Sequence, residues 1–288
     1  MSGRAAPLGL LDAALRRARG VTLLRNRALL AGLLLLIVIL AMVVFAPLLA
    51  GHAPDDQDLY HTLAGPSASH LLGTDELGRD VWARLLYAGR VDLAIGVAAV
   101  VAPFLLGSAL GLVAGYYGGW IEILIMRVLD VVVAFPFYVL VIAVVFALGA
   151  GVESIFIAIT AVGWVSYTRI VRGEVLVAKR LGYIQAARVA GLSGPRILVR
   201  HLAPNVLTQA FIYAMSDVVL TILAVVTLGY LGLGVQPPTP EWGAMLQSGK
   251  DFLNVYPLLA TAPGLAVVLT GLALSLIGDG LSAEWGRR

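Results

Sequence analysis

The residues able to do chemistry are few and far apart. His52, His61 and His70 recur every nine residues in one polar stretch and would suit a metal ion. That spacing matches no metal-site signature, and loop histidines are ordinarily solvated, so no metal site is expected. "GAMLQSGK", Gly243 to Lys250, resembles a phosphate-binding loop at a glance. Its glycines stand one residue too far apart, and Asp251 follows the lysine where Ser or Thr should, so no nucleotide site is expected. Arg127 and Asp130, three apart, can pair on one helix face. Asp217 lies inside a long apolar run with no sequence-local partner. Such a carboxylate either faces a path or a polar neighbour, or is a passenger in packing. There are no cysteines, hence no thiolate or disulfide chemistry. The expectation is a protein without catalytic residues, cofactor or metal.

The elements that hold these residues are set by composition. With 60% hydrophobic and 13% charged residues, the chain has too little polar surface for a water-soluble domain. A span needs roughly 20 apolar residues, and six segments qualify, at about 28–50, 91–115, 122–148, 152–168, 206–234 and 256–277. The expected class is an all-α polytopic membrane protein with six transmembrane helices. Residues 1–27 carry six Arg against one Asp, whereas 51–88 carries six acidic residues with only Arg79 and Arg84. The positive-inside rule places both termini in the cytoplasm, with 15 of the 20 basic residues on that side, and 51–88 and 235–255 outside. The first apolar run is about 20 residues long and ends in "FAPLLAGHAPDD" without a small-residue cleavage site, so a cleaved signal peptide is not expected. Gly107, Gly111, Gly115 and Gly119 recur every four residues and predict one smooth helix stripe for close packing. The segments are thus a basic N-terminal piece (1–27), a first span (28–50), an outer loop (51–88) and a membrane domain (89–283).

One segment breaks the apolar pattern. Arg169 to Asn205 holds seven of the basic residues on the cytoplasmic side. "LGYIQAARVAG" places Ile184, Ala187 and Ala190-Gly191 on a small apolar side of a short helix, with Gln185 and Arg188 opposite. Ser193 is placed to cap a second helix, Pro195 falls in its first turn, and Pro204 is expected to stop it. A helix pair outside the bilayer with nothing of its own to bury against reads as a docking element for a cytoplasmic protein. A basic loop that only sets topology is the other reading, and spacing alone does not separate the two.

Gln185-Ala186-Ala187, three residues and then Gly191, running on to "ILVRHLAPN", resembles the EAA coupling loop of ABC importer permeases, with Gln185 where the motif has Glu. "HLLGTDELGRDVWARLLYAGRVDL", "RVLDVVVAFP", "LGYLGLGVQPPTPEWG" and "LIGDGL" narrow the resemblance to the C-type permease of dipeptide, oligopeptide and nickel importers, over about residues 25–283. Val225 stands where many members carry Glu.

The resemblance implies a MetI-like permease core of five helices preceded by one leading helix, in the bacterial inner membrane. It implies a homologous permease as heterodimer partner, two cytoplasmic ABC ATPase subunits that hydrolyse ATP, a periplasmic or lipid-anchored substrate-binding protein, membrane lipid and no nucleic acid. The coupling loop (170–204) would contribute Gln185, Ala186, Ala187, Ala190, Gly191 and Pro204, with Asp217 a candidate for the pathway. Dipeptides or oligopeptides are the favoured solutes, with nickel, glutathione, opines or sugars open. An ion-coupled secondary transporter should hold several ionisable groups at midplane, where Asp217 is nearly alone. A receptor or scaffold without transport is the remaining alternative.

Overall fold

A computed structural model describes residues 26–285, with side chains to 280. The basic N-terminal piece therefore lies outside the described residues, apart from Asn26 and Arg27. The described chain is helical, with one isolated bridge between Thr74 and Asp80. Helix α1 (Arg27–Val44) starts at Asn26, whose side chain accepts from Ala28 N and Leu29 N. It lies against the last helix, α9 (Leu258–Trp285). A side chain at Gly32 would strike the Ala273 carbonyl, and one at Gly280 would strike Leu29, so small residues set this close approach.

Between them the chain runs through α2 (Val81–Tyr117), α3 (Gly119–Val133), α4 (Phe137–Leu148), α5 (Val152–Ala178), α6 (Gly182–Val189), α7 (Gly194–Tyr230, with a π turn over Leu198–Leu202) and α8 (Trp242–Gly249). Five helices are long and apolar enough to cross a membrane: α1, α2, α5, α7 and α9. The expected straight span 122–148 is instead two helices bent by 88° at Ala134-Phe135-Pro136. Pro136 has no N–H to continue α3 and drives Phe135 out of the helical region, so the apolar run is bent sharply there, with the shape of a broken span or a re-entrant pair. Helix α2 also begins ten residues before the expected 91, inside the expected outer loop, and α5 runs ten past 168. Charged residues within those turns lower the apolar signal without weakening the helix.

The α2–α5 contact is the backbone of the bundle. A Cβ at Gly107 would lie 2.3 Å from Trp164 O, at Gly111 2.8 Å from Thr168 O, and at Gly115 2.7 Å from Val175 Cβ. Three glycines thus form the expected stripe. Gly119 does not join it, because it sits at φ +58° in the turn between α2 and α3 with open space around it. The hydroxyl of Thr168 donates to Gly107 O at 3.1 Å across the seam, and Lys179 Nζ donates to Gly115 O at 2.8 Å at the end where α5 stops.

The two outer blocks of the resemblance are structural knots. In "GTDELGRD", Asp75 Oδ1 accepts from Leu77 N and Arg79 N, both at 2.9 Å, and Oδ2 accepts from Arg79 Nε at 2.7 Å. Arg84 Nε stands 3.6 Å from the same oxygen, and its Nη1 donates to Pro54 O at 3.0 Å. Asp80 caps α2 through Ala83 N at 2.7 Å. Gly78 holds φ +73° with the Asp58 backbone where a Cβ would be, which only glycine fits.

In "LGLGVQPPTPEWG", Glu241 caps α8 by accepting from Gly243 N at 2.7 Å and Ala244 N at 2.8 Å, while Asp92 of α2 accepts from Trp242 N at 2.9 Å. Both carboxyls are fully buried, and Gly229 leaves the room that the Glu241 carboxyl fills. Burial pushes the Glu241 carboxyl above its ordinary value. Trp242 Nε1 donates to Leu85 O at 3.1 Å and pins the block to α2.

Candidate functional site

The helix pair between the spans α5 and α7 is built upward from α6. Ile184 (0% exposed) and Ala187 (7%) turn inward and join a core cluster with Val171, Val175, Ile197 and Leu202. Gln185 Nε2 donates to Lys179 O at 3.0 Å, tying α6 to the end of α5. The Arg188 guanidinium lies 5.1 Å from the centre of the Tyr116 ring on α2. Helix α6 then closes in a Schellman motif: Gly191 N donates to Arg188 O at 2.9 Å and Leu192 N to Ala187 O at 3.2 Å. Gly191 holds φ +77° with nothing near its missing Cβ, so its glycine is required by backbone conformation rather than by space.

Three expectations change here. Ala187 was placed on the face open to a partner, but it packs against the chain's own spans, because the small side of α6 is the side its own core covers. The open face instead carries Tyr183, Gln185, Ala186, Val189 and Ala190. Ser193 begins the second helix without a side-chain cap bond. Pro204 does not stop that helix. The chain passes through the π turn into the span, and Pro204 falls in the first turn after it, where its missing N–H costs little.

The residue that sequence reasoning missed is Val189, an apolar side chain 90% exposed at the tip of a polar helix. Its signal was present as a large aliphatic one turn after Gln185 on a face otherwise of Tyr, Gln and Ala. Val199 at the start of α7 is also exposed (73%).

Asp217 sits midway along α7, about 20 Å from either end of its α-helical stretch. Tyr167 on α5, fifty residues away in sequence, donates its hydroxyl to Asp217 Oδ2 at 2.7 Å. The carboxylate lines a cavity of about 180 Å³ with Phe137, Tyr138, Ser166 and Tyr213. Asp92, a second intramembrane carboxylate that sequence reading passed over, is absorbed by the α8 cap. Arg127 does face Asp130 at 3.8 Å, and Arg169 joins the same carboxylate at 4.0 Å. The histidines take protein partners: His61 Nδ1 is 2.7 Å from Asp58 Oδ2, His70 Nδ1 is 2.9 Å from Asp80 Oδ1, and His52 Nε2 is 3.0 Å from Ser69 O. Lys250 points its ammonium at the Tyr230 ring.

Residues 107–285 match the family described as "Binding-protein-dependent transport system inner membrane component", and residues 16–66 match "N-terminal TM domain of oligopeptide transport permease C". The chain is 38% identical over 257 residues to the dipeptide transport system permease protein DppC of Alkalihalophilus pseudofirmus, covering 89% of this chain and 84% of that one. It is 39% identical over 259 residues to the glutathione transport system permease protein GsiD of Pectobacterium atrosepticum, covering 90% and 86%. Its fold is similar to a chain of the MetNI methionine ABC transporter in inward-facing form, with a TM-score of 0.54 at 16% identity over 69% of this chain and 95% of that one. The helix pair between α5 and α7, the glycine-packed bundle and these matches lead to one assignment: the chain belongs to the binding-protein-dependent transport system inner membrane components, as a permease subunit of an ABC importer.

Proposed function

We propose that this permease pairs with a homologous permease and conducts dipeptides or oligopeptides into the cell, with ATP hydrolysed on two cytoplasmic ATPase subunits that dock on α6 and the start of α7. A periplasmic or lipid-anchored binding protein delivers the solute. Both termini and the helix pair face the cytoplasm, in keeping with the arginine asymmetry of the sequence.

The observation that carries this reading is a helix anchored on one side and open on the other. Inward, Ile184 and Ala187 are buried in the core and Gln185 and Arg188 reach neighbouring helices. Outward, Val189 and the ring of Tyr183, whose hydroxyl accepts from Asn205 Nδ2 at 3.4 Å, offer exposed apolar and aromatic surface. When ATP closes the ATPase dimer, such a unit moves as a rigid body. It transmits that motion to α5 through Lys179 and to α7 through the continuous helix. The relatives named for dipeptide and glutathione transport support a peptide-like solute.

The test is uptake of radiolabelled dialanine by cells producing the chain with its homologous permease, ATPases and binding protein. Uptake that stops when ATP binding by the ATPases is disabled is the expected result. Full uptake without functional ATPases would overturn the reading.

A further inference from the structure

The acids in and between the apolar helices of this chain differ in how they are neutralised. Asp130 faces Arg127 and Arg169, and Glu122 accepts from Arg172 Nε at 2.7 Å. Glu241 accepts from Gly243 N and Ala244 N at the start of α8, and Asp92 accepts from Trp242 N, its other oxygen enclosed without a partner rather than opening on a cavity. Asp217 has one phenol. Among the described residues no cation stands within ion-pair distance of it, and no donor reaches its Oδ1. A carboxylate held mid-membrane with one hydrogen bond is short of partners, since each oxygen accepts about two.

What surrounds it is suited to a cation. The cavity of about 180 Å³ is lined by Phe137, Tyr138, Ser166, Tyr213 and Thr221 beside aliphatic side chains. Aromatic rings attract ammonium groups, more strongly where water is excluded. Hydroxyl oxygens and Asp217 Oδ1 supply acceptors for the three N–H bonds that such a group carries. The break at Pro136 matters here. It lies directly before Phe137 and Tyr138, which line the cavity together with Tyr213 and Asp217 of α7. At ~30 Å³ per water, the space is about that of six waters, enough for an ammonium and the few carbons next to it.

We propose that this cavity is a transit site for the primary ammonium group of the transported solute, with Asp217 as counter-charge and Tyr138 and Tyr213 as aromatic walls. It rests on the pathway reading above. The site holds the leading ammonium of a peptide briefly, since one carboxylate without a full shell of donors binds weakly enough to let the group leave. It also favours solutes with a free amino end over acylated ones.

The test reads Asp217 directly and needs no transport. The whole importer in lipid nanodiscs is treated at pH 6.5 with dicyclohexylcarbodiimide, and labelling of Asp217 is followed by peptide mass. Alaninamide, cationic at that pH, should slow labelling roughly fivefold or more, whereas N-acetylalaninamide, neutral and of similar shape, should leave it nearly unchanged. Equal protection by both compounds, or by neither, overturns the proposal. So does an Asp217 that reacts in the isolated chain but is inert in the importer without any amine, because a cation of the partner permease would then fill the site. Protection by alaninamide in an importer that does not take up dialanine would sink the peptide reading and keep the ammonium site. Dialanine uptake without protection would do the reverse.

Discussion

Asp75→Ala is expected to lower the melting temperature of the permease by roughly 6–15 °C and to open the outer loop to protease. The carboxylate is buried together with Arg79 and Arg84, each under 9% exposed, and it is the group both guanidiniums face. Removing it leaves two buried positive charges with weaker partners, and breaking a buried pair from one side costs about 3–5 kcal/mol. It also leaves the Leu77 and Arg79 N–H groups without their acceptor. Asp75→Asn keeps an oxygen for those N–H groups and should fall between the two. Thermal unfolding of the purified proteins measures this. An unchanged melt for Asp75→Ala would mean that Pro54 O, Asp55 and Glu76 already hold the arginines, and that the block is not the knot that seeds α2.

Val189→Asp is the second large effect, and it acts on assembly rather than on folding. A surface change away from the core usually shifts stability by under about 0.5 kcal/mol, so the permease should insert and melt as before. If Val189 enters a groove of the ATPase, the new carboxylate is desolvated without a partner. That costs about 2–5 kcal/mol, or about thirtyfold or more in binding. Co-purifying ATPase and solute-stimulated ATP hydrolysis should both be lost. Ala187→Asp should fail earlier, because its charge would fall among Ile184, Ile197 and Leu202 and loosen α6 itself. A pull-down with a melt on each variant separates the two. An Ala187→Asp protein that is well folded and lacks ATPase, beside a Val189→Asp protein that binds it fully, would show that the docking side has been inverted.

These two cases mark what the sequence makes legible. Five of the spans and the helix pair between Arg169 and Asn205 follow from apolar run lengths and from where charged residues interrupt them. These are strong one-dimensional signals, because the membrane penalises charge wherever it falls. Which side of α6 faces inward does not follow. Ile184 and Ala187 on one side and Ala186 and Val189 on the other are all small or apolar, and only the position of Val171 and Leu202 decides between them.

Partnerships across long separations were equally hidden. Asp92 meets Trp242 and Asp217 meets Tyr167 only once the helices are packed. The break in the third apolar run was legible in principle, since Pro136 lies inside it, but hydropathy averaged over the run hides a single proline. Pro204 shows the opposite error. A proline there is expected to stop the helix, but it falls in the first turn after the π turn, where its missing N–H interrupts nothing.

The most direct test of the docking claim uses the absence of native cysteine. Val189→Cys and Leu59→Cys permeases, the second in the exposed part of the outer loop, are labelled with benzophenone maleimide, assembled into the importer and irradiated. The label at position 189 is expected to yield a covalent adduct with the ATPase subunit, and the label at position 59 none. An ATPase adduct from position 59, or its absence from position 189 in an importer that still hydrolyses ATP, would contradict both the docking face and the orientation of the chain.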